Sequence, residues 1–161
     1  MATTSQVEQA QDHAPPLPYA GFPLRVVSAI LDAVFLIALA ALIAAAAGFY
    51  VLVRTSWGDT DPSNEVYVTS ATILCTFLIL APLYFVLLWY WRGQTLGQVA
   101  VRVAVTDRDG YHISFRQSLV RLIAWPISVL PLGLGVTTMF FDSEQRMLHD
   151  MLAGTVVVEL P

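Results

Sequence analysis

Three long apolar blocks, almost free of charged residues, dominate the pattern along the chain. The first covers 26–53 and contains Asp32, and the second covers 66–91 and contains Pro82. As a helix, each block is long enough to cross the ~30 Å hydrocarbon core of a bilayer. We therefore predict two membrane-spanning helices, the second kinked at Pro82 and anchored among lipid headgroups by the aromatic residues 89–91.

The third apolar block, 118–141, contains a series of residues that break helices. A straight helix through it is therefore not expected, and two arrangements are open. The block could form a kinked third span, which would put the C-terminus outside the cell. It could instead form a re-entrant pair of half-helices that turns at 130–135 and returns the C-terminus to the inside. The helix-breaking residues are Pro126, Pro131, Gly133 and Gly135.

Segments typical of β-strands flank the third block. Valine alternates with other residues over 101–106, which predicts a strand, and 107–110 has the composition of a turn. We therefore predict a β-hairpin over 99–113 and a further strand over 155–160. Because a two-stranded hairpin is only marginally stable alone, we expect these segments to share one sheet. They can share it only on one side of the membrane, which favours the re-entrant arrangement.

The composition excludes a water-soluble globular protein. Hydrophobic residues make up 57% of the 161 residues and charged residues 12%, whereas soluble domains average about 45–50% and about 25%. The lipid bilayer is therefore the first expected partner. A polar segment, 1–20, precedes the first block and is expected to be a disordered tail. The remainder, 21–161, is predicted to be a single, mainly α-helical, polytopic membrane domain.

The charges set the orientation and exclude a nucleic-acid partner. All eight basic residues are arginines, and the net charge of −4 leaves no basic stripe for nucleic acid. The segment 54–65 holds one arginine and three acidic residues, whereas 92–117 holds four arginines. Since positively charged loops stay in the cytoplasm, we predict that 92–117, with its hairpin, and the N-terminus are cytoplasmic.

Arg25 and Asp32 are charged residues at the start of the first apolar block. Their spacing puts them on one helix face, about 10 Å apart along the axis, with Ser28 between them. An ionised aspartate inside a membrane helix costs about 2.5–3.5 kcal/mol, so Asp32 needs a partner, a water-filled pocket or the interface. Three roles are open: pairing within the fold, while Arg25 reaches the headgroups; an ion or proton site; and contact with a partner protein.

Arg121 and the pair His149 and Asp150 are further candidates. Arg121 could anchor the start of the third block at the headgroups or hold a ligand. His149 beside an aspartate could handle protons, because imidazole titrates near neutrality. The alternative is a short interfacial helix, ended by Gly154, in which Asp150 accepts hydrogen bonds or pairs with an arginine.

Motifs of catalysis, metal binding and cofactor binding are absent from the sequence. It has neither G-x-S-x-G nor HExxH, and its single cysteine, Cys75, can form neither an intramolecular disulfide nor a metal cluster. The glycine-rich segment 93–98 lacks the lysine of a phosphate-binding P-loop and is expected to form a tight turn. We therefore expect no enzymatic activity, metal or cofactor.

These residues, in this order, resemble the RDD family of small bacterial membrane proteins, which is named for an arginine and two aspartates. Arg25 and Asp32 match the arginine that opens the family's first membrane helix and the aspartate inside it. Residues 93–110, GQTLGQVAVRVAVTDRDG, resemble the family's Gly-x-Thr-x-Gly loop and following strand. Residues 145–158, QRMLHDMLAGTVVV, resemble its C-terminal signature.

The resemblance covers 19–160 and implies a charged cluster at the cytoplasmic side of the bacterial plasma membrane. There is one departure: Gln98 stands where a basic residue usually follows the second loop glycine, which removes a charge that could face a phosphate or lipid headgroup. The implied cluster comprises Arg25, Asp32 and Asp150, the last matched to the second aspartate, with Ser28, Arg121 and His149 in supporting positions.

The resemblance also implies a transport-related protein. Transport of unidentified ligands has been proposed for the family, and cation/proton exchange attributed to some members. In that role Asp32 would be the exchangeable carboxylate, and a homo-oligomer or a larger membrane complex would be needed to enclose a pathway. The alternative is a non-catalytic accessory subunit of a larger membrane complex, in which the charged cluster holds the chain's own fold.

Overall fold

A computed structural model describes residues 18–56, 61–130 and 134–161 of the chain. Within these ranges the chain forms two long helices, four shorter ones and a small sheet, and a 3₁₀ turn follows α5. The elements are α1 (Phe22–Ser56), α2 (Pro62–Arg92), α3 (Leu96–Ala100), β1 (Val103–Asp107), α4 (Phe115–Val129), α5 (Leu134–Thr137), α6 (Leu148–Ala153) and β2 (Thr155–Glu159).

The first two apolar blocks form the two long helices that the sequence predicts. The 35 residues of α1 and the 31 of α2 extend about 52 and 46 Å. Both are long and apolar enough to cross a membrane. The side chain of Asp61 caps the start of α2 by accepting from the amide of Ser63, and Gly93, in the left-handed conformation with φ 68°, ends it.

The first third of α1 packs against the last third of α2, so the two helices are antiparallel. The ring centroids of Phe35 and Tyr84 lie 5.7 Å apart. The buried residues of α1 all lie in its first third, at Arg25, Ser28 and Asp32. No residue of 37–56 and no described side chain of 63–80 is buried, and most of the large side chains exposed there are apolar.

The sheet pairs β1 with β2 in antiparallel register, from Val103 opposite Glu159 to Asp107 opposite Thr155. The expected sharing of one sheet by these two segments is therefore present. The predicted hairpin over 99–113 is wrong in part, because 96–100 is helical and the return segment contributes only a single bridge, at His112. The physical reason is that β2 pairs along one edge of β1, while on the other edge the amide of Val105 donates to the carbonyl of Gly93 at 2.7 Å and Gln94 donates to the carbonyl of Val103 at 2.8 Å, so a return strand has little room.

The N-terminal segment extends this sheet on the other side of β2. The amide of Ala20 donates to the carbonyl of Val157, and the amide of Glu159 donates to the carbonyl of Pro18, both at 2.8 Å. Ala20 is fully buried. Of the predicted disordered tail, 1–20, the first 17 residues lie outside the described residues, whereas the last three lie along β2.

Trp89 differs from its prediction as a headgroup anchor. It is only 6% exposed and belongs to the core with Val103, Val105 and Val157, whereas its neighbour Trp91 is 76% exposed. An indole is amphipathic, so its sequence position near a helix end fits either environment. One face of the sheet needs an apolar cover, and Trp89 is buried because it provides part of this cover.

Two helices, α4 and α5, occupy the described part of the third apolar block, and Pro126, one of the expected helix-breaking residues, lies inside α4 without ending it. A capping box of Ser114 and Gln117 opens α4, which ends at Val129. In α5, a Cβ added at Gly135 would lie 2.6 Å from the Cα of Ser128, so this glycine allows α5 to pack closely on α4. The intervening 131–133 lie outside the described residues. Whether this block enters the bilayer stays a prediction.

Candidate functional site

Asp150 lies at the centre of a buried charge cluster. Its carboxylate forms ion pairs with the guanidinium groups of Arg25 and Arg121, and all three side chains are buried. Arg25 also donates from Nε to the carbonyl of Ala20 at 2.9 Å and from Nη2 to the carbonyl of Gln145 at 2.8 Å. These contacts join the start of α1 to the segment beside β2 and to the segment before α6.

Arg121 is held inside the fold by its other neighbours. Its Nη1 donates to the Oγ1 of Thr155 at 2.6 Å, and its guanidinium carbon lies 5.0 Å from the ring centroid of Trp89, in cation–π contact. The side chain is 3% exposed. The guanidinium of Arg121 is therefore engaged by protein groups inside the fold, and its role as a headgroup anchor or a ligand holder stays a prediction.

Local helix geometry places Asp150 where it can accept from several donors. The predicted short helix α6 begins after Met147 and ends at Gly154, which has φ 67°. Asp150 occupies the first turn of α6 and accepts from the amide of Met147 at 3.1 Å. A carboxylate in the first turn is also stabilised by the helix dipole. Oδ2 of Asp150 thus serves both the helix start and Arg25, and Oδ1 pairs with Arg121.

The protonation states of Asp150 and His149 follow from their surroundings. Burial raises the pKa of Asp150, but the positive charges of Arg121 and Arg25 outweigh it and lower this pKa to about 2. Burial lowers the pKa of His149 to about 4, and the attraction of Asp150, 3.6 Å away, only partly opposes this. At neutral pH, Asp150 is therefore ionised and His149 is neutral.

Asp32 lies apart from the charge cluster and binds neutral donors. Its Oδ1 accepts from the hydroxyl of Tyr84 at 2.6 Å and from the amide of Gly97 at 2.8 Å. Its Oδ2 accepts from the hydroxyl of Thr95 at 2.5 Å. Among the described residues, no arginine or histidine forms an ion pair with Asp32. The structure thus brings Arg25, Asp150 and Arg121 together and separates Asp32 from them.

The glycine-rich loop is shaped by the close approach of α3 to α1. A Cβ added at Gly97 would lie 2.1 Å from the carbonyl oxygen of Ser28 and 2.9 Å from the Cγ of Asp32. The hydroxyl of Ser28 donates to the carbonyl of Arg25 at 2.8 Å and so leaves this approach open. The predicted tight turn over 93–98 is therefore only partly correct, because the chain turns over 93–95 and 96–98 begin α3, whose Gly97 fits directly against α1.

Gln98 uses its side-chain oxygen to hold the loop together. Its Oε1 accepts from the amide of Thr95 at 2.9 Å and from the indole Nε1 of Trp89 at 3.2 Å. The first bond completes a capping box at the start of α3. A basic side chain has no acceptor and could make neither bond. At this position, glutamine therefore contributes a packing role that a basic residue could not.

A cavity of about 640 Å³ lies between α1, α2 and α4. This volume falls in the range of small-molecule sites, about 300–1,000 Å³. Much of its wall is apolar, including Leu36, Pro82 and Trp125. Seven polar side chains also line the cavity, and we call them the polar base. They come from α1, α3, α4 and α6 and from the residue before α3. They are Arg25, Ser28, Asp32, Thr95, Gln98, Arg121 and His149.

Several members of this site were not predicted. Tyr84, Trp89 and Thr155 give no signal in the sequence, because an aromatic or hydroxyl side chain in an apolar segment has many ordinary packing roles. Thr95 could have been found from the Gly-x-Thr-x-Gly pattern. Within the described part of the chain, no group of three or more His, Cys, Asp or Glu side chains could hold a metal ion.

Two long apolar helices, a small sheet that closes their ends and a buried arginine–aspartate cluster indicate a small helical membrane protein. The model of the RDD family matches residues 19–154. The chain therefore belongs to the RDD family, which confirms the resemblance found in the sequence.

Two relatives carry no described function. The uncharacterized protein YckC of Bacillus subtilis (strain 168) is 27% identical over 143 residues, which cover 86% of this chain and 83% of YckC. The uncharacterized protein RP437 of Rickettsia prowazekii (strain Madrid E) is 28% identical over 96 residues, which cover 60% of this chain and 54% of RP437. The chain thus spans about half the length of RP437. No solved structure matches the chain significantly.

Proposed function

We propose that this chain is a multi-pass protein of the bacterial plasma membrane that binds a small amphipathic ligand and takes part in its transport. The observation that carries the proposal is the cavity between α1, α2 and α4, which combines an apolar wall with the polar base. Such a lining suits a molecule that has an apolar tail and a polar head.

The proposed placement puts the sheet and the polar base on the cytoplasmic side. The arginine-rich segment 92–117 supports this orientation, with a cytoplasmic N-terminus. We further propose that α4 and α5 form a re-entrant pair, since β1 before them and β2 after them pair in one sheet. Ligands could then enter between the apolar helices and present their head to the polar base.

The variant Ala33→Trp tests whether the cavity binds a ligand. Ala33 lines it, so Ala33→Trp should fill it, whereas Ala45→Trp changes an exposed position farther along α1. The protein is reconstituted in liposomes with a 12-carbon alcohol that carries a photoreactive diazirine in its tail. Wild type and Ala45→Trp should be labelled in 22–36 and 122–129, and Ala33→Trp about tenfold less.

The same three proteins test transport. Transfer of a fluorescent 12-carbon amphiphile between the two leaflets is followed in proteoliposomes, with protein-free liposomes as the background. Wild type and Ala45→Trp should accelerate transfer, and Ala33→Trp should not. Equal labelling and equal transfer in all three proteins would contradict the proposal.

A second candidate is an accessory subunit of a larger membrane complex. The observation in its favour is the exposed apolar surface of the long helices, for example at Ile37, Leu42, Phe49 and Leu78, each more than 60% exposed. Purification from native membranes in mild detergent, with mass determination of the intact particle, separates the candidates. A homo-oligomer alone supports the transport role, whereas stoichiometric larger subunits support the accessory role.

A further inference from the structure

The charges around the polar base are balanced inside the protein. Arg25 and Arg121 carry two positive charges, and Asp150 and Asp32 carry two negative ones. Arg25 and Arg121 form ion pairs with Asp150, and Asp32 accepts from three neutral donors. Both arginines are thus already paired with Asp150, and three hydrogen bonds already occupy the carboxylate of Asp32. A charged head group would therefore leave water without finding a free partner, which is unfavourable.

Gln98 brings a free hydrogen-bond donor to this balanced surface. Its Oε1 is fixed by the amide of Thr95 and the indole of Trp89, and this fixes which end of the carboxamide is the nitrogen. Its Nε2, with two hydrogens, has no hydrogen-bond partner among the described residues. The residue is 9% exposed and lines the cavity.

Other unpartnered donors near the cavity differ from Gln98 in their access. The Nε of Arg121 and the Nδ1 of His149 also lack hydrogen-bond partners, but both atoms are closed off from the surface. A ligand in the cavity can therefore reach Nε2 of Gln98 without a rearrangement of the charge cluster.

We infer that the head group is uncharged and accepts a hydrogen bond from Nε2 of Gln98 through an oxygen atom, as in an ester or a polyol. This inference rests on the proposed function, because it assumes that the cavity holds an amphiphile. It goes further by assigning the class of head group and a specificity-determining residue.

The test compares the labelling by three probes that have the same tail and differ only in the head group. Three diazirine-tailed 12-carbon probes are used with the protein in nanodiscs: the glycerol monoester, the carboxylate and the amine. In wild type, the monoester should label the cavity segments, 22–36 and 122–129, about tenfold more than either charged probe. Free glycerol monoacetate, which has the same kind of head without the tail, should not compete at equal concentration.

Gln98→Glu is the matched variant. Glutamate keeps an oxygen for the amide of Thr95 and the indole of Trp89, and it completes the capping box, so α3 should fold as before. The hydrogen bonds that the new carboxylate accepts from the amide of Thr95 and the indole of Trp89 favour its ionised form. The variant should therefore lose the preference for the monoester, about tenfold, and label with the amine instead. Its melting temperature in nanodiscs reports whether the fold is kept.

The outcomes separate the inference from the proposed function. If all three probes label the cavity segments equally in wild type, or if Gln98→Glu leaves the preference unchanged, the assignment of the head group is wrong but the cavity remains a binding site. If glycerol monoacetate competes as well as the monoester, the ligand is a soluble molecule and not an amphiphile. If no probe labels wild type more than Ala33→Trp, the proposed function fails as well.

Discussion

The two ends of the same long helices differ sharply in what surrounds them. In α1, the buried residues lie within the first third, at Arg25, Ser28 and Asp32, and none of the residues 37–56 is buried. In α2, Val86 and Trp89 are buried near the end, whereas none of the described side chains over 63–80 is. We call 37–56 and 63–80 the distal segments.

The comparison shows that polar residues, and not hydrophobicity, mark where these helices contact protein. Both ends are apolar overall, but the end beside the sheet carries side chains that need hydrogen-bond partners, which only protein can provide within a membrane. In the distal segments the charged residues, Arg54 and Glu65, lie near the helix ends, and hydroxyl groups such as that of Thr72 donate to carbonyls of their own helix, so lipid can surround these segments. Changes beside the sheet should therefore destabilise the fold far more than changes in the distal segments.

The largest effect is expected for Asp150→Asn. The amide keeps an acceptor for the amide of Met147 but leaves Arg25 and Arg121 buried without a counter-charge. Loss of one member of a buried ion pair costs about 3–5 kcal/mol. The free energy of unfolding, measured in nanodiscs with a denaturant, should fall by this amount.

Glu144→Gln is the control for that variant. Glu144 pairs with Arg108 on the exposed surface and with Arg146, and exposed pairs contribute up to about 1 kcal/mol. Equal destabilisation by Asp150→Asn and Glu144→Gln would show that the charge cluster does not hold the fold.

Acidification should weaken the same region through His149. Burial lowers its pKa from 6.5 to about 4, so folding holds it neutral, while Asp150, Arg121 and Arg25 face it. Because the folded-state pKa is lowered, this part of the stability is complete above pH 6.5 and is lost as the pH falls toward 4. His149→Gln should remove this decline, as measured by melting temperature from pH 7.5 to 4.5.

A further loss should follow below pH 4, where the carboxyl of Asp150 begins to bind a proton in the unfolded state. Its pKa is lowered to about 2, so its contribution is present above 3.8 and lost toward pH 2. A decline between pH 6.5 and 4 that persists in His149→Gln would assign the titration to another group.

Gly97→Ala tests the close contact between α3 and α1. The new Cβ would meet the backbone carbonyl of Ser28 at 2.1 Å, and a backbone atom cannot rotate away. Overpacking of this kind costs about 1–3 kcal/mol. Gly48→Ala, in the distal segment of α1, has nothing within 4 Å of its new Cβ and should be neutral or stabilising by up to ~1 kcal/mol. Equal effects would contradict the close packing of α3.

Asp32→Asn separates a docking role from an ion-exchange role. The amide nitrogen would face the hydroxyl of Thr95 or the donors at Oδ1, which should cost about 1–3 kcal/mol. If Asp32 only docks α3, ion-coupled flux per folded protein in proteoliposomes should be unchanged. Abolished flux in a well-folded variant would instead identify Asp32 as the exchangeable carboxylate. Tyr84→Phe is the control. It removes one of the three donors to Asp32 and should lower the free energy of unfolding by about 1 kcal/mol.

Local pattern was enough to predict the elements but not their partners. Apolar runs predicted α1 and α2, and valine-rich composition placed β2 within one residue of its observed end, Glu159. The ladder between β1 and β2 joins residues about fifty positions apart, so no short-range period specifies it. The predicted partner, the return segment near His112, is closer in the chain but contributes one bridge.

The candidate site shows the same division. Helical spacing correctly puts Arg25, Ser28 and Asp32 on one buried face. It could not predict that Arg25 binds Asp150, 125 positions away, while Asp32 binds the loop at Thr95 and Gly97. The family resemblance implied that Asp32 and Arg25 belong to one cluster with Asp150. Instead, three neutral donors provide the hydrogen bonds that the buried carboxylate of Asp32 must accept, and no arginine is required.

The smallest effect is expected for Leu42→Ala in the distal segment of α1. Leu42 is 68% exposed, and in a protein surrounded there only by lipid the variant should change the free energy of unfolding by less than about 0.5 kcal/mol. Leu122→Ala, which shortens a side chain in the cavity wall, serves as the comparison and should cost more. Because lipid tails are as apolar as leucine, this surface gives no hydrophobic drive to associate with other helices. A destabilisation by Leu42→Ala of more than ~1 kcal/mol, together with a smaller particle mass, would mean that another helix packs on this surface and would favour the accessory-subunit candidate.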